Sequence, residues 1–185
     1  LQVPAKQPWL GVAVEGTERD VAWQMEQLRG ELGSCMPEQL EVLSGEQEPL
    51  WRALTDYRVN SESPLSFQAS VVPSRVAEFF SLAETLGISL QSHAGNGIVI
   101  GHLSDTVATV HEAEEIVKRL RAITRQRHGH LTILQCSSTW KERIQVFEES
   151  AGGWGLMKEL KRRMDPLDLL NRGRIFGKDF PGRQA

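Results

Sequence analysis

Cysteine is scarce: only Cys35 and Cys136 occur in 185 residues. With no CxxC pair and no dense cysteine spacing, a disulfide scaffold is disfavoured, and two reduced thiols in a cytoplasmic protein are expected. Long apolar runs are missing too. Nothing approaches the ~20 consecutive apolar residues of a spanning helix, and the first residues lack the charged-then-apolar pattern of a signal peptide. Charge of one sign is also absent: the net charge is −3 and the pI about 6.0, so no basic field draws in phosphate backbones or anionic lipid, and nucleic acid is not an expected partner. The five tryptophans, at 9, 23, 51, 140 and 154, are scattered without the basic and aromatic interleaving of a single-strand binder.

Catalytic signatures are equally thin. There is no GxSxG elbow and no P-loop, and Gly30-Glu31-Leu32-Gly33 is not a dinucleotide fingerprint after a strand. No solenoid-length repeat or low-complexity segment is present. What remains is an apolar share of 40% beside 24% charged residues, enough to bury a core. The length fits one domain of about 100–200 residues, or one domain with a docking tail.

Along the chain, Trp9–Gly16 reads as a short apolar strand closed by glycine. Thr17 with Asp20 caps a helix carrying Val21, Met25 and Leu28, which Gly30 and Gly33 interrupt. Leu40–Leu43 has the makings of a short strand, and Glu48–Tyr57 of a short helix. Leu65–Val72 is a strand, and Pro73-Ser74 opens a helix through Phe79 and Leu82 to Gly87. Ile88–His93 and Gly97–Leu103, joined by Ala94-Gly95-Asn96, form a hairpin. Asp105 or Thr106 then caps a long helix bearing Val107, Val110, Ala113, Ile116, Val117, Leu120 and Ile123 on one face, followed by a strand, Leu131–Cys136. After Gly152 and Gly153 a basic helix, Leu156–Met164, ends at Asp165-Pro166, because proline disfavours helix in the residue before it. This order predicts an α+β fold: a ferredoxin-like antiparallel sheet with helices on one face over residues 1–150, and a C-terminal helix and tail over 151–185.

The tail carries the most specific signal. Met157 to Phe176 contains Lys161, Asp165-Pro166, a short hydrophobic turn, then Asn171, Gly173 and Arg174. This resembles the end of FAD-linked oxidases of the vanillyl-alcohol-oxidase type, whose pattern is helix, Lys, Asp-Pro, hydrophobic turn, Asn-Pro-Gly-Arg/Lys; Arg172 departs by standing where the family has proline. Trp154-Gly155 ahead of the helix looks most like the FAD-binding (E) subunit of glycolate oxidase. The resemblance implies that Asn171, Gly173 and Arg174 contact the flavin. An amide at 171 both donates and accepts, and a glycine at 173 lets backbone approach a planar ring. Taken from spacing alone, Asn171 and Gly173 simply make a turn, and Arg162, Arg163, Arg172 and Arg174 a solvated basic face.

The hairpin carries the second signal. Dehydrogenases of the same family that act on D-lactate or D-2-hydroxyglutarate read His-x-Gly-Asp-Gly-Asn-x-His there, the two histidines holding a divalent metal. Here His93, Gly95 and Gly97 match, while Asn96, Ile98 and Ile100 replace the aspartate, the asparagine and the second histidine. Losing one imidazole removes much of the chelate, so no metal is expected. Even spacing along a regular strand would put His102 on the face opposite His93, and it is not expected to substitute. His93 either lines the substrate side with Asn96, as an acid–base or carboxylate-orienting group, or is a satisfied histidine at a hairpin mouth. His111, His128 and His130 belong to no comparable motif and are expected to face solvent.

The resemblance therefore implies the substrate and cap domain of an FAD-dependent 2-hydroxy-acid (glycolate-like) oxidoreductase. Nothing in residues 1 to 64 resembles the family's FAD-binding domain, so the isolated chain is expected to bind FAD weakly or not at all and to be inactive alone. The implied partners are a small 2-hydroxy acid, an upstream FAD-binding domain, a second flavin subunit and an iron–sulfur subunit. The alternative is a stand-alone ferredoxin-like interaction domain without catalysis, which the Arg172 and Ile100 departures favour.

Overall fold

The computed structural model describes residues 8–35, 37, 39–42, 48–59, 62–126, 128–147, 153–172 and 176. The chain divides into two compact units, Leu1–Ala53 and Leu54–Ala185.

In the first unit, helix α1 (Glu18–Ser34) is capped by Thr17, whose hydroxyl donates to Asp20 Oδ2 at 2.7 Å and accepts from the Asp20 amide at 3.3 Å. The helix runs through both Gly30 and Gly33. A helical glycine costs roughly 1 kcal/mol against alanine but does not end a helix unless the backbone turns left-handed there, and neither does. The strand expected at 9–16 does not form, and residues 40–42 lie in no strand either; Leu43 is outside the described residues. Trp9–Val14 has the composition of a strand, but a strand exists only through a ladder partner, and none pairs with it among the described residues. Helix α2 (Glu48–Asp56), whose residues 54–56 belong to the second unit, forms as expected.

The second unit holds the sheet. Its elements are β1 (Leu65–Ser70), a 3₁₀ turn (Pro73–Arg75) leading into α3 (Val76–Thr85), β2 (Ser89–His93), β3 (Ile98–His102), α4 (Val110–Arg125), β4 (His130–Cys136) and, after a second 3₁₀ turn at Trp140–Glu142, α5 (Trp154–Met164). Strand order is β2-β3-β1-β4 and every neighbouring pair is antiparallel. Two split β-α-β units, β1-α3-β2 and β3-α4-β4, interlock; this is the ferredoxin-like arrangement within an α+β fold.

Alternation fixes the faces. Leu65, Phe67 and Ala69 of β1, Val99 of β3, and Leu131 and Ile133 of β4 join Val76, Phe79 and Ala83 of α3 and Ala113, Val117 and Leu120 of α4 in one buried cluster. Both helices thus cover the same side. Gly101 makes this packing possible: a Cβ there would meet Phe67 Cζ at 2.3 Å, so the missing side chain is the space the Phe67 ring fills. That ring stands edge-on to Phe79 at a centroid distance of 6.5 Å. A bulge between Ser66 and Phe67 shifts the register of β4, leaving Leu134 without a partner on β1.

Helix α4 begins later than the sequence suggests. Its N-cap is Thr109, which accepts from the Glu112 amide while the Glu112 carboxylate accepts from the Thr109 amide, both at 3.2 Å. That reciprocal box satisfies two helix-end donors, whereas Ser104, Asp105 and Thr106 are taken up in a turn in which the Ser104 hydroxyl accepts from the Thr106 amide. Helix α5 stops at Asp165, ahead of Pro166, as expected.

Candidate functional site

With α3 and α4 on one side, the pairings define the other. Ser89, Gln91 and His93 of β2, Ile98, Ile100 and His102 of β3, Ser66, Gln68 and Ser70 of β1, and His130, Thr132 and Gln135 of β4 share it. Apart from two isoleucines this face is polar, and it carries four histidine or glutamine side chains near its centre and one end. No α-helix of the sheet's two β-α-β units packs on it.

His93 lies at the open end of β2, opposite Ile98, and is exposed. Its carbonyl accepts from the amides of Asn96 and Gly97, both at 3.1 Å, closing the hairpin. Among the described residues no hydrogen bond engages its imidazole. Asn96 is also exposed, but its side-chain oxygen accepts from the Ile98 amide at 3.1 Å. Asn96 therefore spends its acceptor on the turn and keeps only its NH₂ for a ligand. His93 and Asn96 both lie at the hairpin mouth, joined by the Asn96 amide to His93 carbonyl bond.

His102 lies on the same face as His93, contrary to expectation. The two stand at opposite ends of the hairpin, four residues of strand or roughly 13 Å apart. The even-spacing rule holds along one strand, but the turn reverses parity, so odd positions of β2 pair with even positions of β3. His102 is also buried, at 2% exposure. Its Nε2 donates to the Tyr57 carbonyl at 2.5 Å, which leaves Nδ1 to accept from the Ser66 hydroxyl at 2.8 Å. The Tyr57 ring meets the imidazole edge-on at 4.7 Å, and its hydroxyl pairs with Ser89 Oγ at 2.7 Å. Burial pushes the Tyr57 phenol upward, partly offset by that Ser89 bond. This is a structural network in which both ring nitrogens of His102 are already bonded.

The tail motif folds into one turn. Lys161 projects from α5 so that its ammonium meets the Asp165 carboxylate, Asp168 Oδ1 at 3.0 Å and the Leu170 carbonyl at 2.6 Å, which uses all three of its protons. Asp165, in turn, accepts the amides of Leu169 at 2.8 Å and Leu170 at 2.9 Å. Asn171 follows, exposed, with φ of 49°. Among the described residues the hydrogen bonds and ion pairs of Lys161 and Asp165 all go to residues 161–170, none to β2 or β3. Gly173 and Arg174 lie outside the described residues. Arg162 and Arg163 both pair with Glu159 on the exposed side of α5, and Arg172 donates to the Asp168 carbonyl at 2.5 Å.

The Lys161 ammonium, followed by the Leu170 and Leu169 amides, holds the Asp165 carboxyl at about 2, below its ordinary 3.8, against the opposing effect of desolvation. Because the folded value is depressed, the turn's stabilisation is complete above the ordinary value and is lost as pH falls from about 4 through about 2. A ¹³C titration of the Asp165 carboxyl is expected to give a midpoint near 2, with the Leu169 and Leu170 amide shifts moving together; a midpoint at 3.8 would sink the assignment.

His130 is exposed, as expected, and it shares a row of the open face with His93, Ile98 and Ser70, a placement that only the register of all four strands reveals. His111 and His128 are exposed. Cys136 is half-buried, and burial raises its thiol, while Cys35 is exposed. Among the described residues no cluster of three His, Cys, Asp or Glu is able to hold a metal ion, and no helix is long and apolar enough to cross a membrane. Two shallow grooves, one beside α1 and one between α4 and residues 143–145, include none of the predicted site residues. Comparison with family models, with curated proteins and with solved structures returned no match.

Proposed function

We propose that this chain is the substrate and cap domain of an FAD-dependent 2-hydroxy-acid (glycolate-like) oxidoreductase, acting with a separate flavin-binding domain. The observation that carries the reading is the tail. The residues that resemble the flavin-oxidase pattern, Lys161, Asp165 and Asn171, form one connected turn that ends in an exposed amide with left-handed backbone. An amide so presented fits the edge of a flavin ring, to which it can offer both a donor and an acceptor. The described residues contain no glycine-rich phosphate cradle, so the rest of the cofactor must be held elsewhere.

Bound flavin would supply the hydride acceptor. The chain's own part is binding and orientation. The unengaged imidazole of His93 is suited to hold the hydroxyl proton or the carboxylate of a small hydroxy acid, with the Asn96 NH₂ beside it. Seven large apolar side chains stay exposed on α5 and the turn after it, including Leu156, Leu160, Met164 and Leu170, a surface suited to the flavin domain. On this reading the protein works in the cytoplasm, with a second flavin subunit and an iron–sulfur subunit carrying electrons onward.

A non-catalytic interaction domain is the second reading. It is favoured by Arg172, whose guanidinium is bonded within the turn where the family has proline.

Titrating FAD into the chain alone, and into the chain mixed with a glycolate-oxidase-type flavin domain, separates the two. Binding is expected only in the mixture, and Asn171→Ala should weaken it about tenfold, the worth of one hydrogen bond to a buried partner. Tight binding by the chain alone would mean a phosphate site outside the tail and hairpin. No binding in either case would leave the interaction domain.

A further inference from the structure

The contacts around Lys161 and Asp165 exceed what ending a helix requires. Asp165-Pro166 alone stops α5. Yet Lys161 reaches forward to three groups, one of them the carbonyl of Leu170, and both oxygens of Asp165 take amides four and five residues ahead. These bonds bracket the residues immediately before Asn171. Asp168 and Asn171 both adopt left-handed backbone, with φ of 48° and 49°, a region that non-glycine residues occupy at a cost and keep only when their surroundings hold them there. The side chains of Lys161 and Asp165 are largely shielded, at 17% and 7% exposure, although α5 itself has no fully buried residue. The turn after α5 is therefore built on this shielded ion pair, beside an apolar contact of the tail, the Phe176 ring edge-on to Trp154 at 5.1 Å.

We propose that Lys161 and Asp165 are positioning residues for Asn171: their ion pair, tied to the amides of Leu169 and Leu170 and to the Leu170 carbonyl, sets the backbone that aims the Asn171 amide at its ligand. This rests on the reading of Asn171 as a flavin contact. The pair never touches the flavin. Asp165→Asn keeps one carbonyl acceptor and loses the other, so at most one of the two amides stays bonded. Lys161→Met removes the bond to Leu170 while keeping the length of the side chain. Lys161→Arg keeps charge and donors and is the conservative control.

Two readouts on the full chain test this. Hydrogen exchange at the Leu169 and Leu170 amides is expected to speed up about tenfold or more in Asp165→Asn and Lys161→Met, with the sheet amides unchanged and Lys161→Arg close to the parent. In the mixture with the flavin domain, Asp165→Asn is expected to lower FAD affinity to the extent that Asn171→Ala does, and the double variant should be no weaker than Asn171→Ala alone. Unchanged exchange at Leu169 and Leu170 would overturn the proposal. So would additive losses in the double variant, or an Asp165→Asn complex that binds FAD like the parent while Asn171→Ala does not. If Asn171→Ala itself leaves FAD binding intact, the flavin reading of Asn171 falls and the positioning role falls with it, whatever the exchange rates show.

Discussion

Gly97→Ala is expected to lower the stability of the sheet unit by roughly 3–5 kcal/mol, among the larger effects for a single methyl group. Gly97 has φ of 72°, where an L-residue already pays about 1–2 kcal/mol. The greater part is steric: a Cβ at this position would lie 1.8 Å from the Val71 carbonyl oxygen and 3.0 Å from its carbon. Those are backbone atoms, so no rotamer change relieves the clash; the hairpin must move away from the end of β1. Moving it breaks the bond from the Val71 amide to the Gly97 carbonyl, at 2.9 Å, and disturbs the His93 carbonyl that accepts the Gly97 amide. Gly95 is the matched control two positions away. Nothing lies within 4 Å of its would-be Cβ and its backbone is not left-handed, so Gly95→Ala should change stability by less than about 1 kcal/mol. Urea unfolding of the two variants decides it: equal midpoints would mean the hairpin does not approach β1 as closely as described.

The hairpin also marks how far the sequence could be read. The turn between residues 93 and 97 was legible because glycine and asparagine punctuate two apolar runs, and the order of strands and helices was enough to suggest a ferredoxin-like sheet. The strand at 9–16 was not correctly legible. Composition speaks to what a segment can do, whereas a ladder depends on a partner that local pattern cannot name. The start of α4 failed for a related reason: Asp105, Thr106 and Thr109 are all acceptable caps, and the choice falls to Thr109 because Glu112 returns the bond. The open face was hidden because facing residues are set by register across turns, which is why His102 was assigned to the wrong side and His130, expected to be exposed, was not placed in a row with His93. In the tail, Lys161 and Asp165 stood out as members of a pattern. What they do there, gathering two amides and a carbonyl ahead of Asn171, follows from bonds over four to nine residues that no periodicity reports.

The second large effect concerns His102. Replacing it with leucine, which fills similar space, is expected to cost roughly 2–4 kcal/mol, because a buried hydroxyl and a partly buried carbonyl lose their partner at once. Ser66 is fully buried and its hydroxyl has His102 Nδ1 as acceptor; the Tyr57 carbonyl takes the Nε2 proton. An orphaned buried group costs about 1–3 kcal/mol, more than the net worth of the bond it made. That asymmetry gives the test its force. Ser66→Ala alone strands the imidazole nitrogen, and His102→Leu alone strands the hydroxyl. The double variant removes both ends of one bond, leaving only the Tyr57 carbonyl to be met, which a shift of residues 57–59 toward water can do. The double variant should therefore be more stable than the sum of the single losses by about 1 kcal/mol or more, a coupling expected only of groups in direct contact. Strictly additive losses would mean that Ser66 and His102 are not bonded. Because the same imidazole anchors Tyr57, whose hydroxyl is tied to Ser89 on the edge strand, His102→Leu should also loosen the β2 end of the sheet, seen as faster exchange at the Ser89 and Leu90 amides than at those of β1.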